Sequence, residues 1–431
     1  MNVLSRRTFL GGLAAAGTLP PSNAAQNQRR APAARIDRLA LVRRHNPVIH
    51  AFDPLAPLSV GNGEFAFTGD ITGLQTFPLE YENAMPLCTL SQWGWHTAPS
   101  GLDLKTLRLT PFDTHGRQVG YAVSSDGQKE LFNWLRENPH RLHLGQFGLR
   151  LLRRDGGEAV IKDITDIEQQ LDMWTGVITS RFHFEGVPVT VRTAVHPAQD
   201  VLAVTIESKL IQEGRLAIRA VFPYGSSTMQ AADWQQTQKH QTTILRQTAG
   251  GAELRRTLDA DEYFVALRWS GAATFSKKDA HTFVLEPART SFRCEFVVAF
   301  APRPMQRVMP FVPETFTASA QHWQHFWNEG AALELAASRD PRAAELERRI
   351  VLSQYLTAIQ CSGSLPPQET GLTVNSWYGK FHLEMHWWHA AHFALWNRLP
   401  MLENSLGYYQ AILPQARELA QSQGYVGARW P

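Results

Sequence analysis

Hydrophobic and polar positions along this chain follow two periods, and the change falls near Pro302. Before it, short β-branched runs are separated by turn residues. Residues 177–184 (VITSRFHF) stop at Glu185-Gly186, and residues 187–194 (VPVTVRTA) resume at once. Residues 201–208, 263–269, 281–285 and 294–300 continue the series, with apolar positions partly alternating. Alternation places successive side chains on opposite faces of a pleated strand, and many such runs predict an antiparallel sandwich. One helix is expected inside this part, over 128–137. The Gln- and Thr-rich stretch 228–256 reads as a long loop or an edge hairpin.

After Pro302 the spacing becomes helical. Pro313-Glu314-Thr315 opens a segment carrying Trp323, Phe326 and Trp327, read as a linker helix. Asp340-Pro341 is expected to start the next helix: Asp accepts free amides, and Pro at the first helical position gives up no needed hydrogen bond. That helix carries Leu346, Ile350, Leu352 and Leu356 to about Cys361. Residues 363–371 read as a loop, 384–397 as a second helix, and 402–423 as a third, bent at Pro414 and ended by Gly424. Three helices do not easily bury so many bulky apolar residues. Either the sandwich covers them or the polypeptide is a piece of a longer product, and the second is expected.

Composition fits a soluble globular protein: 431 residues, 44% hydrophobic and 19% charged, long enough for two domains. A formal charge of +3 without a Lys/Arg block argues against a nucleic-acid partner. Thirteen Trp and 22 Phe mean either a large core or aromatic walls around a ligand. Three scattered cysteines, Cys88, Cys294 and Cys361, form no CxxC pair, so cysteine chemistry is not expected. At the N-terminus, Ser5-Arg6-Arg7-Thr8-Phe9-Leu10 precedes a short run of Gly, Ala and Leu and then Ser22-Asn23-Ala24. This resembles a bacterial twin-arginine export signal built on Arg6 and Arg7, with cleavage near Ala24. It implies residues 1–24 as signal, 25–44 as flexible linker, the Tat translocase as a partner, and a periplasmic or extracellular destination. The apolar run is too short to be a stable membrane anchor.

Two short motifs add a resemblance. Ser59-Val60-Gly61-Asn62-Gly63-Glu64-Phe65 is similar to the segment that opens the sandwich of maltose- and kojibiose-phosphorylase-type proteins. Leu171-Asp172-Met173-Trp174-Thr175-Gly176-Val177 resembles their L-D-x-x-x-G turn. The resemblance implies the six-hairpin glycosidase architecture, β then α: an antiparallel β-sandwich (45–305), a helical linker (306–339), and the first hairpins of an (α/α)6 barrel (340–431). It also implies carbohydrate as substrate, and a general acid on a later hairpin that these residues do not include. Phe381-His382-Leu383-Glu384 with Trp387 is loosely similar to the cleft segment F-W-D-x-E-x-W, without its W-D pair.

The chemistry concentrates in residues 377–396 (WYGKFHLEMHWWHAAHFALW), which admit three readings. On a helix, about 100° per residue sets His382, His386 and His389 on one stripe above Phe393, where they could hold zinc. Glu384 points to nearly the opposite face and HLEMH is not HExxH, so no metal is expected. As a core, Trp387, Trp388, Phe393, Leu395 and Trp396 would pack around the helix. As a sugar cleft, Trp377 and Tyr378 would stack on sugar C–H faces, while Asn375, Lys380, His382, His386 and Arg429 bond hydroxyls. Glu384, in the first helical turn, would be an ionised base or a hydroxyl acceptor, with Glu369 as second candidate. Gly61-Asn62-Gly63 lacks the Lys-Ser/Thr and helix of a phosphate loop and reads as a tight turn, so no cofactor is expected. The expected function is an exported glycoside hydrolase. Non-catalytic sugar binding or structure by the sandwich, and phosphorolysis, are the alternatives.

Overall fold

In residues 177–184 the alternation becomes a strand with Ile178, Ser180, Phe182 and Phe184 buried and Arg181 exposed between them. This strand belongs to a nine-stranded antiparallel sheet in a computed structural model that describes residues 36–430. The export motif with Arg6, Arg7 and Ala24 lies outside the described residues. Along the sheet the order is Val48–Ile49, Ile164–Asp172, Val177–Phe184, Val187–Val195, Val201–Glu207, Arg293–Ala301, Asp261–Trp269, Gly251–Leu258 and His240–Thr248. Between Val201–Glu207 and Arg293–Ala301 the chain leaves to build other strands. Three of these join the earlier strand Gln146–Leu151 in a second sheet, in the order Ala273–Lys277, Thr282–Pro287, Leu216–Val221, Gln146–Leu151. The sheets meet through aromatic rings: Phe147 lies 5.9 Å from Phe300, and Phe275 stacks 5.8 Å from Trp269. The stretch 228–256 divides into a loop and nearly all of the edge hairpin His240–Thr248/Gly251–Leu258.

Eight α-helices are described: α1 (Arg38–Arg43), α2 (Lys129–Glu137), α3 (Lys209–Gln212), α4 (Val312–Asn328), α5 (Ala343–Cys361), α6 (Leu383–Leu395), α7 (Leu399–Ala411) and α8 (Leu413–Ser422). The start of α4 explains why alternation is blurred in Val201–Glu207. Leu202, Val204 and Ile206 line one face of that strand, while Val201 and Ala203 on the other pack with Val297, Ala299, Met309 and Val312. Both faces are covered, so both are apolar. None of the described helices is long and apolar enough to cross a membrane.

Both quoted motifs are docking turns. Gly63 N–H donates to the Ile359 carbonyl (3.0 Å), an orphan acceptor in the last turn of α5. The Asn62 side chain accepts from the amides of Glu64 (2.9 Å) and Phe65 (2.8 Å) and donates to the carbonyls of His196 and Gln199. With these amides committed, the loop cannot cradle a phosphate. A Cβ at Gly61 would lie 2.8 Å from the Ile359 carbonyl oxygen, so only glycine lets α5 approach. In the second motif, Asp172 accepts from Trp174 N–H (3.1 Å) and the Thr175 hydroxyl (3.0 Å), closing a turn whose carbonyls receive α4. Trp327 donates to Met173 O (2.7 Å) and Ser319 to Thr175 O (2.9 Å).

Four expectations need correction. Residues 37–44 are not flexible linker. Asp37 caps α1, Leu41 and Val42 are buried, and Arg38 donates to carbonyls at the end of α4, among them Trp327 (2.8 Å) and Gly330 (2.9 Å). Buried Glu347 then holds His45 (2.6 Å) and Arg44 (2.8 Å) against α5. Asp340 closes a turn ahead of α5, accepting from Arg342 N–H (2.9 Å), so the helix starts at Ala343 and not at Pro341. The expected single helix over 402–423 is two, broken at Ile412, because Pro414 lacks an amide to donate back to Gln410 and its ring crowds the carbonyl there. Finally, Trp387 (71% exposed) and Trp388 (67%) do not pack in a core, nor does Leu395: no described residue covers their side of α6, whereas Phe393 on the opposite side is buried.

Candidate functional site

The loop between α5 and α6 enters its last stretch through Asn375 and leaves it through Lys380. Between them Trp377 (φ +47°, ψ +41°), Tyr378 (φ +62°, ψ +14°) and Gly379 (φ +73°) make one left-handed turn. Gly379 adopts this freely, but for an L-residue with a bulky side chain it costs roughly 1–2 kcal/mol. The surroundings enforce it. Asn375, 2% exposed, donates its side-chain amide to Thr228 O (2.8 Å) and Ser226 O (3.4 Å) and accepts from Arg141 N–H (3.3 Å). The Lys380 ammonium donates to the carbonyls of Leu135 (2.8 Å), Arg136 (2.8 Å) and Asn138 (2.7 Å) at the end of α2. Burial lowers its pKa.

Beneath the turn lies Arg141, a fully buried guanidinium on the sandwich side. It donates to Ser91 O (3.0 Å), Gln92 O (2.5 Å) and the Gln92 side chain (2.8 Å), and it stacks 3.9 Å from the Trp95 ring. Burial pulls it down to about 9, still charged at neutral pH. Its Nε reaches Gln368 (3.4 Å), whose amide in turn donates to the carbonyls of Gly371 and Val374. A Cβ on Gly379 would overlap Arg141 Cγ. Upstream, Glu64 of the first motif accepts from Ser364 N–H (2.5 Å) and its hydroxyl (3.0 Å). The loop is therefore fastened to the sandwich along its length.

What this scaffold presents is Trp377, 53% exposed, with His382 edge-on at 6.2 Å and Glu384 exposed in the first turn of α6. The bridge between Gln368 and Phe381, and a 2.8 Å bond from His389 to the Glu369 carbonyl, lay the Glu369 backbone beside the start of α6. The structure thus sets the Trp377 ring beside His382, with Tyr378 and Glu384 close along the chain and the Glu369 backbone against α6.

Other expected contacts are engaged elsewhere. The polar groups of Asn375 and Lys380 serve the turn. His386 is buried between α6 and α7, with Nδ1 2.7 Å from the Tyr409 hydroxyl and Nε2 2.8 Å from the Ser405 hydroxyl. Both its nitrogens are occupied, burial lowers its pKa, and it cannot join His382 and His389 on a metal. Among the described residues no group of three or more His, Cys, Asp or Glu is arranged to hold one. Arg429 stacks 4.9 Å from Tyr121 of the hairpin Thr110–Thr114/Arg117–Tyr121 and bonds Gln423, away from the turn. Cys88, Cys294 and Cys361 are buried and unpaired, with thiols pushed up to about 12 by burial. Arg141, Gln92 and Gln368 were not foreseen, and Gly379 is the one sequence signal for the turn.

No protein-family model and no curated protein matches the sequence. Solved structures do. A kojibiose phosphorylase from the human microbiome superposes with TM-score 0.58 at 12% identity, over 89% of this chain and 51% of its own. This chain thus spans about half the length of that structure. A bacterial glucoamylase complexed with acarbose matches at TM-score 0.39 and 9% identity, over 65% of this chain and 46% of its own. A family GH92 alpha-mannosidase from Bacteroides thetaiotaomicron matches at 0.25 and 7%, over 52% and 33%. The first likeness shows the fold, a large antiparallel β part followed by helices, as the two motifs led one to expect; the two looser ones carry no argument.

Proposed function

We propose that the chain belongs to an exported glycoside hydrolase acting on an oligosaccharide or glycoside, with residues 377–384 as its sugar-contacting surface. The observation that carries this reading is the clamped left-handed turn, which holds an exposed Trp rigidly beside a His, just ahead of a helix whose first turn carries the exposed Glu384. Preorganised aromatic faces bind sugar C–H surfaces without an ordering cost. Glu384, exposed in the first turn of α6, acts as the base, and the partner acid that hydrolysis requires is a second carboxyl across the bond. Export through the Tat translocase places the enzyme in the periplasm or outside the cell.

The test is product release from oligosaccharides, with and without phosphate, by the full-length natural protein. Glu384→Gln should lower kcat by a factor on the order of 10² to 10⁴, while Trp377→Ala should mainly raise KM. Turnover untouched by either change would sink the proposal, and strict phosphate dependence would make the enzyme a phosphorylase. The Glu384 carboxylate, exposed and without a partner among the described residues, favours one competitor, a non-catalytic carbohydrate-binding protein. Sugar binding without turnover, indifferent to Glu384→Gln, would identify it.

A further inference from the structure

Apart from residues 363–384, the sandwich carries a cavity of about 510 Å³ between the loop 226–235 and the segment that follows Phe77. That volume lies in the range of small-ligand pockets, ~300–1,000 Å³. Its wall is built rather than incidental. The Trp234 ring packs edge-on against His143 at 5.4 Å, and its indole N–H donates to the Gln230 side chain (3.2 Å), which fixes the plane of the ring. His143 is fully buried, donates from Nε2 to Leu87 O (3.0 Å) and accepts on Nδ1 from Gly145 N–H (3.1 Å). Burial pulls it down to about 4, so it stays neutral above that pH.

Two further features point to a ligand. Gln146 lines the cavity and is 8% exposed, yet its side-chain amide has no hydrogen-bond partner among the described residues. Its polar atoms stay open to the solvent in the cavity, where ligand hydroxyls can replace water on them. Second, Asp233 and Glu82 contribute carboxylates and no Lys or Arg lines the space, so phosphates and acidic sugars are disfavoured. A fixed indole face, amides that both donate and accept, and no cation together match a neutral polyhydroxylated ring.

We infer that this cavity is a second carbohydrate site, taking a neutral oligosaccharide with one ring on Trp234 and its hydroxyls on Gln146 and Asp233. It shares no lining residue with the 377–384 surface and stands whether or not that surface binds sugar. The test is calorimetric titration of the full chain with maltotriose, cellotriose and mannotriose at millimolar concentration. A Trp377→Ala background isolates the cavity. There, at least one trisaccharide should bind saturably, and Trp234→Ala or Gln146→Leu should weaken it about tenfold or more, the scale of a lost aromatic anchor. Leu79→Arg, on a rim position 77% exposed and so safe for folding, should block the cavity to a similar degree. Absence of saturable binding in the Trp377→Ala background, or binding indifferent to Leu79→Arg and Trp234→Ala, would overturn the inference. The first proposal fails separately, if Trp377→Ala leaves turnover unchanged.

Discussion

Gly379→Ala is the sharpest perturbation of the clamped turn. The residue sits at φ +73°, and an added Cβ would overlap Arg141 Cγ and stand 2.9 Å from Arg141 Cβ. These atoms lie near the arginine backbone and cannot swing aside, because the guanidinium is pinned by Ser91 and Gln92. The left-handed conformation costs about 1–2 kcal/mol for alanine, and overpacking a rigid site adds about 1–3 kcal/mol. Together they predict a loss of about 2–5 kcal/mol, read by urea denaturation. Gly101→Ala separates the two contributions: Gly101 has φ +66° and nothing within 4 Å of its Cβ position, so it should lose only the backbone share. Hydrogen exchange should show faster opening of residues 375–381 in Gly379→Ala and none in Gly101→Ala. Equal losses in the two variants would refute the claim that Arg141 buttresses the turn.

Gly176→Ala should undock the linker helix, since its Cβ would overlap the Trp323 indole and approach Ser319 Oγ to 2.8 Å at φ +67°; a loss of about 2–5 kcal/mol by the same assay is expected, and less than 0.5 kcal/mol would contradict it. Burial raises the fully buried Asp70 carboxyl to about 6, against an unfolded value near 4, with bonds from Thr72 and Phe77 opposing. The folded state thus holds a proton that the unfolded state has released. Its contribution to stability is full below about pH 4 and lost as pH rises through about 6, by on the order of 3 kcal/mol; carboxyl titration by NMR checks this, and a midpoint below 4 would reverse the sign. Replacing Arg6 and Arg7 together by Lys should leave the precursor in the cytoplasm, and the exported protein should begin near Ala25. Normal periplasmic levels of the twin-Lys form would exclude the twin-arginine route.

The strands were legible because one face of each faces a core and the other does not, as at Ile178, Ser180 and Phe182. The signal blurred where α4 covers the second face, at Val201 and Ala203. Helix ends at Asp340 and Pro414 misled because a capping residue or a proline fixes only its own turn. The functional loop divides the same way. Trp377, His382 and Glu384 were legible as exposed chemistry, but Asn375 and Lys380 look identical in sequence whether they meet a ligand or a carbonyl. Their partners, at 226–228 and 135–138, are far away along the chain. The left-handed pair was invisible, because nothing local favours positive φ at Trp or Tyr.

That pair is also the strongest reason to regard the loop as functional. Trp377 and Tyr378 together carry roughly 2–4 kcal/mol of backbone strain. A loop of no consequence would relax it by placing glycine or asparagine there, residues that visit this region readily. Here the chain keeps two aromatics in the strained geometry and surrounds them with Asn375, Lys380, Arg141 and Gln368, each with its polar group committed to holding the turn. Neither ring gains burial deep enough to account for this, since Trp377 remains half exposed and Tyr378 is only partly covered. Holding an indole in one fixed attitude toward solvent stabilises nothing in the free protein. It lowers the ordering cost of whatever stacks upon it.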